Sequence, residues 1–413
     1  MFLSEENANA VVGQSGGPTA AINATLAGVI KGALGSGRIK TLYGMKNGIF
    51  GFENEQLIEL NSYFENDSKS LELLASTPSA ALGSCRKKLS DDDEMAKIFS
   101  LFEKYEIRYF FYIGGNDSMD TVAKLTDYAS RHEDCYDVKL IGIPKTIDND
   151  LQLTDHTPGF GSAAKFVAAA MQEIVRACSV YLTKSVTIVE IMGRDAGWLT
   201  AASALTTYIC GTGPDFIYLP ETPFDEMQFI EDVRQKLDTG EKNNVVIAVS
   251  EGIRTQSGAY VAQKAVQACA DGFGHSALSG VGKYLEELVK YKIGCKCRSV
   301  ELNILQRCAA HIASKTDIDE ARGVGEAAVR HALNGETGKM MSIRRVRNSD
   351  VYKTEFCTVD VTDTANKVKH VPQSFLSEDK KGVNSKCIDY LLPLIAGENP
   401  VIFEDGLPVH FEF

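Results

Sequence analysis

A short apolar strand, a tight polar turn and a helix follow one another repeatedly along this chain. The first strand, 8–12, runs through the glycine-rich turn 13–18 into an alanine-rich helix, and the strand 109–113 leads through a second glycine turn into another helix. A third apolar strand, 138–143, ends in the turn 144–150. Strands that are apolar throughout lie buried between two layers of helices in a parallel sheet. The repetition therefore predicts an α/β fold that begins with a doubly wound lobe.

Two further apolar strands, 186–191 and 245–249, each end in a polar cluster and predict a second lobe. A chain of 413 residues also exceeds what one hydrophobic core usually serves. We expect an α/β fold with two doubly wound lobes, mostly parallel sheets and the active site in the cleft between them. The expected divisions are residues 1–152 for the first lobe, 153–304 for the second, and 305–413 for a C-terminal segment that completes both.

The balance of charges excludes several classes of partner. With 43 basic and 55 acidic residues the net charge is −12, which argues against nucleic acid or an anionic membrane as a partner. No apolar run reaches the ~18 residues that a membrane helix needs, and the start of the chain lacks the basic and apolar regions of a signal peptide. The ten cysteines are scattered without a CxxC pair, as in a reducing compartment. We therefore expect a cytoplasmic protein, in which an anionic substrate needs locally clustered cations.

The turn 13–18 (GQSGGP) places successive backbone N–H groups at the start of a helix. Bare glycines there admit a phosphate, and the helix dipole favours its charge. Two other interpretations stay open. A glycine-rich turn also serves packing alone, and the pattern G-x-S-x-G matches the nucleophile elbow of a hydrolase with Ser15 as nucleophile. The elbow normally follows several strands, whereas this turn follows the first, and this position disfavours the hydrolase.

The turns 114–118 (GGNDS) and 144–150 (PKTIDND) carry the residues most suited to catalysis. The first sets an amide and a carboxylate where a phosphate or metal would lie, although a helix cap explains it as well. The second holds the carboxylates of Asp148 and Asp150, which point the same way in an extended turn, with the ammonium of Lys145 nearby. These carboxylates can be divided between proton transfer and metal binding. Since an aspartate is ionised at neutral pH, Asp148 is the candidate general base.

Five motifs give the chain a resemblance to a known family: GQSGGPTAAIN (13–23), LGSCR (82–86), GGNDS (114–118), PKTIDND (144–150) and EIMGR (190–194). Together with Glu251 and the pair Gln306 and Arg307, they resemble the phosphofructokinases over about residues 8–345. The resemblance implies Mg²⁺-dependent, in-line phosphoryl transfer to the 1-hydroxyl of fructose 6-phosphate. It also implies that the first lobe binds the phosphoryl donor, that the second binds fructose 6-phosphate, and that the protein is a homodimer or homotetramer.

Two positions resemble the pyrophosphate-using members of that family rather than the ATP-using ones. Asp117 stands where ATP users have a small glycine that leaves room for the nucleotide, so its carboxylate occupies that volume and repels an α-phosphate. Lys145 stands where ATP users have another glycine, and its ammonium can neutralise the leaving phosphate. We therefore expect pyrophosphate as the donor and a reversible reaction that gives fructose 1,6-bisphosphate and phosphate. The alternatives are transfer from ATP, and a non-catalytic regulatory subunit that binds sugar phosphates.

The resemblance also implies roles for individual residues. The donor would contact Gly13, Arg86, Gly115 and Asn116. The chemical step would involve Asp148, Lys145, Asp117 and Arg194. The sugar phosphate would contact Thr146, Asp148, Met192, Gly193, Arg194, Glu251, Arg298, Ile304 and Arg307. Mg²⁺ would be held by Asn116 and Asp150. Of these residues, Arg298 and Arg307 would take the 6-phosphate, because guanidinium groups suit a phosphate dianion.

Three positions depart from the family pattern. Asn116 stands where the family usually has a metal-binding aspartate, which removes one negative ligand. Ser185 stands where the family brings an arginine across a subunit boundary to the 6-phosphate. Ile304 stands where a His or Tyr commonly helps to bind the sugar phosphate.

Other features receive a structural interpretation. A zinc site is disfavoured for the set Cys295, Cys297, Cys308 and His311, because small thiols commonly pack in cores. Trp198 is interpreted as a packing residue. The stretch 342–380 is interpreted as surface and peripheral strands, and no chemistry is assigned to it.

Overall fold

The computed structural model of the protein describes residues 8–65, 67–239, 242–264, 280–346, 349 and 351–413. The strands are β1 (Ala8–Gln14), β2 (Ile39–Met45), β3 (Leu57–Glu59), β4 (Ile107–Gly114), β5 (Lys139–Pro144), β6 (Ser185–Ile191), β7 (Phe216–Tyr218), β8 (Pro223–Phe224), β9 (Asn244–Ser250), β10 (Arg254–Thr255), β11 (Lys296–Glu301), β12 (Lys339–Arg345), β13 (Thr354–Asp360), β14 (Phe403–Glu404) and β15 (Leu407–Pro408).

The α-helices are α1 (Ile22–Gly35), α2 (Gly48–Glu53), α3 (Asn61–Phe64), α4 (Ser68–Ser76), α5 (Asp92–Lys104), α6 (Asn116–Arg131), α7 (Phe160–Ser179), α8 (Trp198–Ala202), α9 (Leu205–Cys210), α10 (Glu226–Asp238), α11 (Val281–Lys292), α12 (Leu305–Cys308), α13 (Lys315–Leu333) and α14 (Ser385–Leu391). Short 3-10 segments lie at Val261–Lys264, Ala310–Ile312, Val361–Asp363, Gln373–Phe375 and Leu392–Ile395. Among the described residues, no helix combines the length and apolar character needed to span a bilayer.

Seven strands form the larger sheet, in the order β13-β12-β5-β4-β1-β2-β3. The pairs β1 with β2, β1 with β4, β4 with β5, and β5 with β12 are all parallel. The edge strands β3 and β13 pair antiparallel with their neighbours. The inner strands therefore point the same way, and their carboxyl ends meet at one edge of the sheet.

Four strands form the smaller sheet, in the order β11-β6-β9-β7, and every pair in it is parallel. Two two-stranded ladders, β8 with β10 and β14 with β15, lie outside these sheets. The carboxyl ends of β6 and β9 carry the polar clusters that follow residues 191 and 249. This sheet supplies the second wall of the cleft described below.

Both sheets lie between layers of helices. On one face of the larger sheet Val12 and Phe111 pack with α1 and α13, and on the other face Val11 and Phe110 pack with α5 and α6. Neighbouring residues of one strand are thus buried on opposite sides, and each large side chain contributes about 1.5–3 kcal/mol of hydrophobic stabilisation. Helix α7 covers one face of the smaller sheet, and α10 and α11 cover the other. The predicted α/β fold with two doubly wound lobes is confirmed.

Helix α1, which follows the first glycine turn, lies close against α13. A Cβ atom at Gly28 would lie 2.1 Å from the carbonyl oxygen of Arg322, and one at Gly325 would lie 2.3 Å from the carbonyl oxygen of Thr25. Only residues without a Cβ atom allow this approach of two helix backbones. The contact holds the start of α1, and the glycine turn before it, against the C-terminal part of the chain.

The five predicted apolar strands are present as β1, β4, β5, β6 and β9. The helix predicted at 19–34 begins three residues later, at Ile22, after Thr19 Oγ1 has accepted hydrogen bonds from the N–H groups of Ala21 and Ile22. The C-terminal segment contributes β12 and β13 to the larger sheet and α13 to its helical layer. The lobe boundaries at 152 and 304 stay predictions.

Candidate active site

A cleft of about 220 Å³ lies where the carboxyl ends of the two sheets face each other. The ends of β1, β4 and β5 supply one wall, and the loops after β6 and β9 supply the other. Ligands of open parallel sheets bind beyond the carboxyl ends of the strands, which is the position of this cleft. The residues predicted from the sequence that line it are Arg86, Gly115, Asn116, Asp117, Lys145, Thr146, Asp148, Asp150, Met192, Arg194, Glu251 and Arg307.

The glycine turn after β1 wraps around two cations. The ammonium of Lys145 donates a hydrogen bond of 2.6 Å to the carbonyl oxygen of Gly17. A Cβ atom at Gly17 would lie 3.3 Å from the guanidinium carbon of Arg307, and Gly16 has a φ of +75°. The positive φ favours glycine at position 16, and a side chain at position 17 would crowd the guanidinium group of Arg307. Gly13 lies deeper in the strand, where it packs beside Met45 and Tyr112 and does not line the cleft.

Lys145 is the most enclosed cation of the cleft. Lys145 is the first residue after β5, and it is 2% exposed. Burial and the positive charge of Arg307 lower the pKa of Lys145 to about 7, against the opposing effect of Asp148. An anion entering the cleft would restore the charged form, because it supplies the negative charge that the free protein lacks at this point.

The turn after β5 directs both of its carboxylates into the cleft. The hydroxyl of Thr146 accepts a hydrogen bond of 3.1 Å from the N–H of Asp148 and donates one of 3.3 Å to its carboxylate. Asn149, with a φ of +53°, is fully buried and donates to the hydroxyl of Tyr390. The carboxylates of Asp148 and Asp150 therefore both line the cleft, as predicted.

Asp150 and Asn116 form a corner of the cleft that offers oxygen ligands. The Nδ2 group of Asn116 lies 3.4 Å from Oδ2 of Asp150 and donates to the carbonyl oxygen of Lys367 at 3.1 Å. Its Oδ1 atom is buried without a hydrogen-bond partner. Burial and the charge of Asp148 raise the pKa of Asp150 to about 7. An unpartnered amide oxygen beside a carboxylate that is costly to ionise fits a hard cation such as Mg²⁺.

The loops after β6 and β9 form the second wall. The N–H of Met192 donates to the side-chain oxygen of Gln306 at 3.2 Å, and the N–H of Gly193 donates to the carboxylate of Glu251 at 3.1 Å. Gly193 has a φ of +139°, a conformation that a side chain would strain. Burial raises the pKa of Glu251 to about 7, although the hydrogen bond from Gly193 opposes this, and Asp148 adds to it. Arg194 lies in the same wall.

The cluster of cations expected from the sequence is present. Arg86, Lys145, Arg194 and Arg307 all line the cleft, although the chain as a whole carries a net charge of −12. Guanidinium groups bind phosphate oxygens through paired N–H donors. The arrangement can bind a ligand with more than one phosphate group and can stabilise charge that develops between them.

Arg298 and Ile304 lie outside the cleft. Arg298 is exposed on β11, and Ile304 is 64% exposed beside the start of α12. Ser185 begins β6, at the end of the strand opposite to the cleft. The sugar-phosphate roles of Arg298 and Ile304 stay predictions.

Two alternative sites are not supported by the geometry. Ser15 is 2% exposed, and its hydroxyl donates to the carbonyl oxygen of Cys85 at 3.5 Å, so it is not presented to the cleft as a nucleophile. Within the described ranges, no group of three or more His, Cys, Asp or Glu side chains could hold a metal ion. Cys308 and His311 are exposed while Cys297 is buried, so these residues do not assemble into a zinc site.

Several residues at the site are absent from the predicted set. Lys88 forms an ion pair of 3.1 Å with Asp117, and Asp195 lines the cleft beside Arg194. Lys369, from the stretch 342–380, approaches the turn that carries Asp148 and Asp150 from behind. The two adjacent lysines after Arg86 are the one signal in the sequence that could have pointed to Lys88. The position of Lys369 depends on contacts between distant parts of the chain.

The whole chain is similar to known proteins. The family model described as phosphofructokinase matches residues 9–332. A pyrophosphate--fructose 6-phosphate 1-phosphotransferase from Halomonas elongata is 38% identical over 97% of this chain and 94% of its own. A sulfofructose kinase from Alkalicoccus urumqiensis is 33% identical over 89% of this chain and 92% of its own. The crystal structure of a pyrophosphate-dependent phosphofructokinase from Marinobacter aquaeolei superposes with a TM-score of 0.86 at 36% identity, covering 98% of this chain and 96% of the other. The chain therefore belongs to the phosphofructokinase family.

Proposed function

We propose that the protein transfers a phosphoryl group reversibly between pyrophosphate and the 1-hydroxyl of fructose 6-phosphate, giving fructose 1,6-bisphosphate and phosphate. The observation that carries the proposal is the position of Lys145, Asp117 and Asp148 in one cleft. A buried ammonium and a carboxylate occupy the two positions where ATP-using phosphofructokinases have glycine. The names of the relatives from Halomonas elongata and Marinobacter aquaeolei support the same donor.

Asp148 is the proposed general base. Its carboxylate is oriented by the hydroxyl of Thr146 and lies in the same cleft as the cations Lys145 and Arg194. It accepts the proton of the 1-hydroxyl as the oxygen attacks the phosphoryl group, and the leaving phosphate departs in line. Lys145 and Arg194 neutralise the charge that develops on the transferring and leaving oxygens. Positioning and charge neutralisation thus account for the catalysis.

Mg²⁺ is the proposed cofactor. Asp150 and the unpartnered Oδ1 atom of Asn116 would hold it, and it would supply charge neutralisation at the donor oxygens. Since Mg²⁺ keeps several waters and is commonly completed by substrate phosphates, two protein oxygens are sufficient for such a site. The amide at position 116 carries no charge, so we expect weaker metal binding than with an aspartate.

Arg307 is the proposed 6-phosphate ligand within this chain, and Arg86 and Gly115 are the proposed donor contacts. Arg298 is exposed on β11 and does not line the cleft of its own chain, which would allow it to contact a sugar phosphate in a neighbouring cleft of a homo-oligomer. We propose a dimer or tetramer on this ground and from the family resemblance. The nine described cysteines are all free, which supports the cytoplasm as the location.

One assay tests the proposal. Purified protein with Mg²⁺ and fructose 6-phosphate is offered pyrophosphate or ATP in parallel, and formation of fructose 1,6-bisphosphate is measured. Product from pyrophosphate is expected, and product from ATP alone would refute the donor. Product from neither would favour a non-catalytic regulatory subunit. A parallel arm with sulfofructose as acceptor separates the two activities named among the relatives.

A further inference from the structure

We propose that Lys369 is a positioning residue for the turn that carries Asp148 and Asp150, and that it acts through Asn149. The inference rests on the proposed function, in which Asp148 is the general base. Lys369 lies 220 residues beyond Asn149 in the chain, in a stretch to which the sequence assigned no chemistry. Its contacts nevertheless converge on the back of the catalytic turn.

Asn149 determines where its two neighbours point. It is fully buried and has a φ of +53°, so its side chain faces away from the cleft while those of Asp148 and Asp150 face into it. Its Nδ2 group donates to the hydroxyl of Tyr390 at 2.8 Å, and its Oδ1 accepts from the N–H of Thr157 at 3.2 Å. Asn is among the few residues other than glycine that adopt this left-handed conformation readily, and the hydrogen bonds of its side chain fix it there.

Lys369 uses all three protons of its ammonium on this region. Its Nζ donates to Oδ1 of Asn149 at 3.1 Å, to the carbonyl oxygen of Thr154 at 3.2 Å and to that of Asp155 at 2.9 Å. Its backbone N–H donates to the carbonyl oxygen of Asp150 at 2.7 Å. One residue therefore holds the middle of the turn, its end and the segment that follows it. A neutral side chain of similar length cannot supply three donors.

The same residue also contacts the second wall of the cleft. The indole N–H of Trp198 donates to the carbonyl oxygen of Lys369 at 2.9 Å, and the ammonium lies 5.4 Å from the centre of the indole ring. Trp198 begins α8, directly after the loop that carries Arg194. Lys369 thus connects the general base with the wall that supplies a catalytic cation. A displacement of about 1 Å between such groups costs on the order of 10²-fold in rate.

The test replaces Lys369 by a side chain of similar length without the ammonium. For Lys369→Met we expect kcat to fall on the order of 10²-fold, with KM for both substrates changed less than about threefold. Lys165→Met is the matched control, because the ammonium of Lys165 also donates to a backbone carbonyl, that of Gly397, at 2.6 Å and away from the cleft. The control is expected to keep the wild-type kcat. A wild-type kcat in Lys369→Met, or a loss confined to KM, overturns the proposal.

A double-mutant cycle tests whether Lys369 acts through Asn149. Asn149→Gly removes the amide and tolerates the positive φ, so the pair Lys369→Met and Asn149→Gly is expected to reduce kcat no further than the more damaging single change. Multiplicative losses would overturn the proposed route. If Lys369→Met does not fold, Lys369→Gln takes its place under the same criteria. Independently of that variant, a wild-type kcat in Asn149→Gly alone overturns the proposal.

An activity-independent measurement separates this inference from the proposed function. Hydrogen exchange of the backbone amides at 146–157 is expected to become faster in Lys369→Met and to stay unchanged in Lys165→Met. Unchanged exchange in Lys369→Met would overturn the positioning role even if the enzyme is active. A wild-type protein that uses only ATP would refute the proposed donor but not the positioning role of Lys369. In that case kcat and KM of Lys369→Met would be compared with those of the wild type with ATP as the donor.

Discussion

The carboxylate of Asp117 and the ammonium of Lys88 lie 3.1 Å apart where Asp117 lines the cleft. The side chain of Lys88 is 40% exposed and that of Asp117 is 18% exposed, so the pair is partly screened by solvent. The neighbouring cation nevertheless compensates the charge that would repel an α-phosphate. We therefore expect any exclusion of a nucleotide to depend more on the volume of the Asp117 side chain than on its charge.

The volume argument predicts the behaviour of a double variant. Asp117→Gly combined with Lys145→Gly opens the donor end of the cleft and removes the ammonium that faces the leaving phosphate. We expect kcat/KM for pyrophosphate to fall on the order of 10²–10³-fold, as when a preorganised charge partner is lost. We expect kcat/KM for ATP to rise, measured in the same coupled assay. A double variant that keeps the original preference would show that the donor is selected elsewhere.

Lys88→Ala is the matched test of the charge. It removes the partner of Asp117 but leaves the volume of the cleft wall unchanged. If volume excludes the nucleotide, this variant keeps its preference for pyrophosphate. A shift toward ATP in Lys88→Ala would instead show that Lys88 holds Asp117 in place.

The second prediction concerns the general base. Asp148→Asn keeps the shape of the side chain and its contact with Thr146 but cannot take up the proton of the 1-hydroxyl. We expect kcat to fall by about 10²–10⁴-fold, the usual contribution of general base catalysis. KM for fructose 6-phosphate is expected to change little, because Arg307 and Arg194 remain. A variant that keeps more than a tenth of the wild-type kcat would remove Asp148 from the proton transfer.

Local pattern was sufficient to predict much of the fold and the site. The strand β4 is buried on both faces, and its nearly continuous run of apolar residues indicates this burial directly. The turns after β1, β4 and β5 follow parallel strands, so topology alone brings Asp117, Lys145 and Asp148 together. The seven predicted residues on the turns after β4 and β5 line the cleft for this reason, namely Gly115, Asn116, Asp117, Lys145, Thr146, Asp148 and Asp150. The other five lie on other segments and are assigned to the site through the family resemblance, namely Arg86, Met192, Arg194, Glu251 and Arg307.

The remaining features depend on contacts between distant segments. Lys369 reaches Asn149 across 220 residues, and His156 meets Glu320 across 164. Neither contact leaves a periodic signal in the sequence, because the residues involved lie in irregular segments or on a helix whose buried face is mostly apolar. The exposure of Arg298 is a further example, because it depends on whether another part of the chain covers that face of β11.

The third prediction follows from the lowered pKa of Lys145. In the free protein burial and Arg307 lower this pKa to about 7, so above neutral pH the amine is increasingly uncharged and pyrophosphate binding must be accompanied by proton uptake. We expect the Lys145 contribution to kcat/KM for pyrophosphate to fall as pH rises above about 7, until the pKa of the complex is reached. Ionisation of Asp150, whose pKa is also raised to about 7, favours Mg²⁺ binding over the same range and acts in the opposite direction.

Lys145→Met is the control for this pH dependence. Titration of pyrophosphate itself is common to both proteins, so the difference between their profiles isolates the lysine. The variant is expected to lack the additional alkaline decrease, and calorimetry in buffers of different ionisation enthalpy is expected to show more proton uptake with the wild type than with the variant. Identical profiles would mean that Lys145 is charged throughout and that burial is outweighed in the free protein.

The fourth prediction concerns stability and the buried imidazole of His156. Its Nε2 lies 2.6 Å from the carboxylate of Glu320, and its Nδ1 lies 2.9 Å from that of Asp155. Burial disfavours the charged imidazole, but the two carboxylates outweigh it and raise the pKa of His156 from 6.5 to about 9. Because the pKa of His156 is higher in the folded protein than in the unfolded chain, protonation stabilises the fold. The full stabilisation is present below pH 6.5, the pKa in the unfolded chain, and it is lost as pH rises through 9. Its size is on the order of 3 kcal/mol.

The measurement compares thermal unfolding of the wild type with that of His156→Gln between pH 6 and pH 10. The lowered pKa of Lys145 acts in the opposite direction over part of this range, since a lysine that is neutral when folded stabilises the fold as pH rises. Both proteins contain that lysine, so the difference between their melting temperatures reports His156 alone. We expect a large difference near pH 6.5 that shrinks toward pH 10, because the wild type loses the charged imidazole there while the variant has none to lose. A difference that stays constant across this range would show that His156 stabilises the fold through packing and neutral hydrogen bonds.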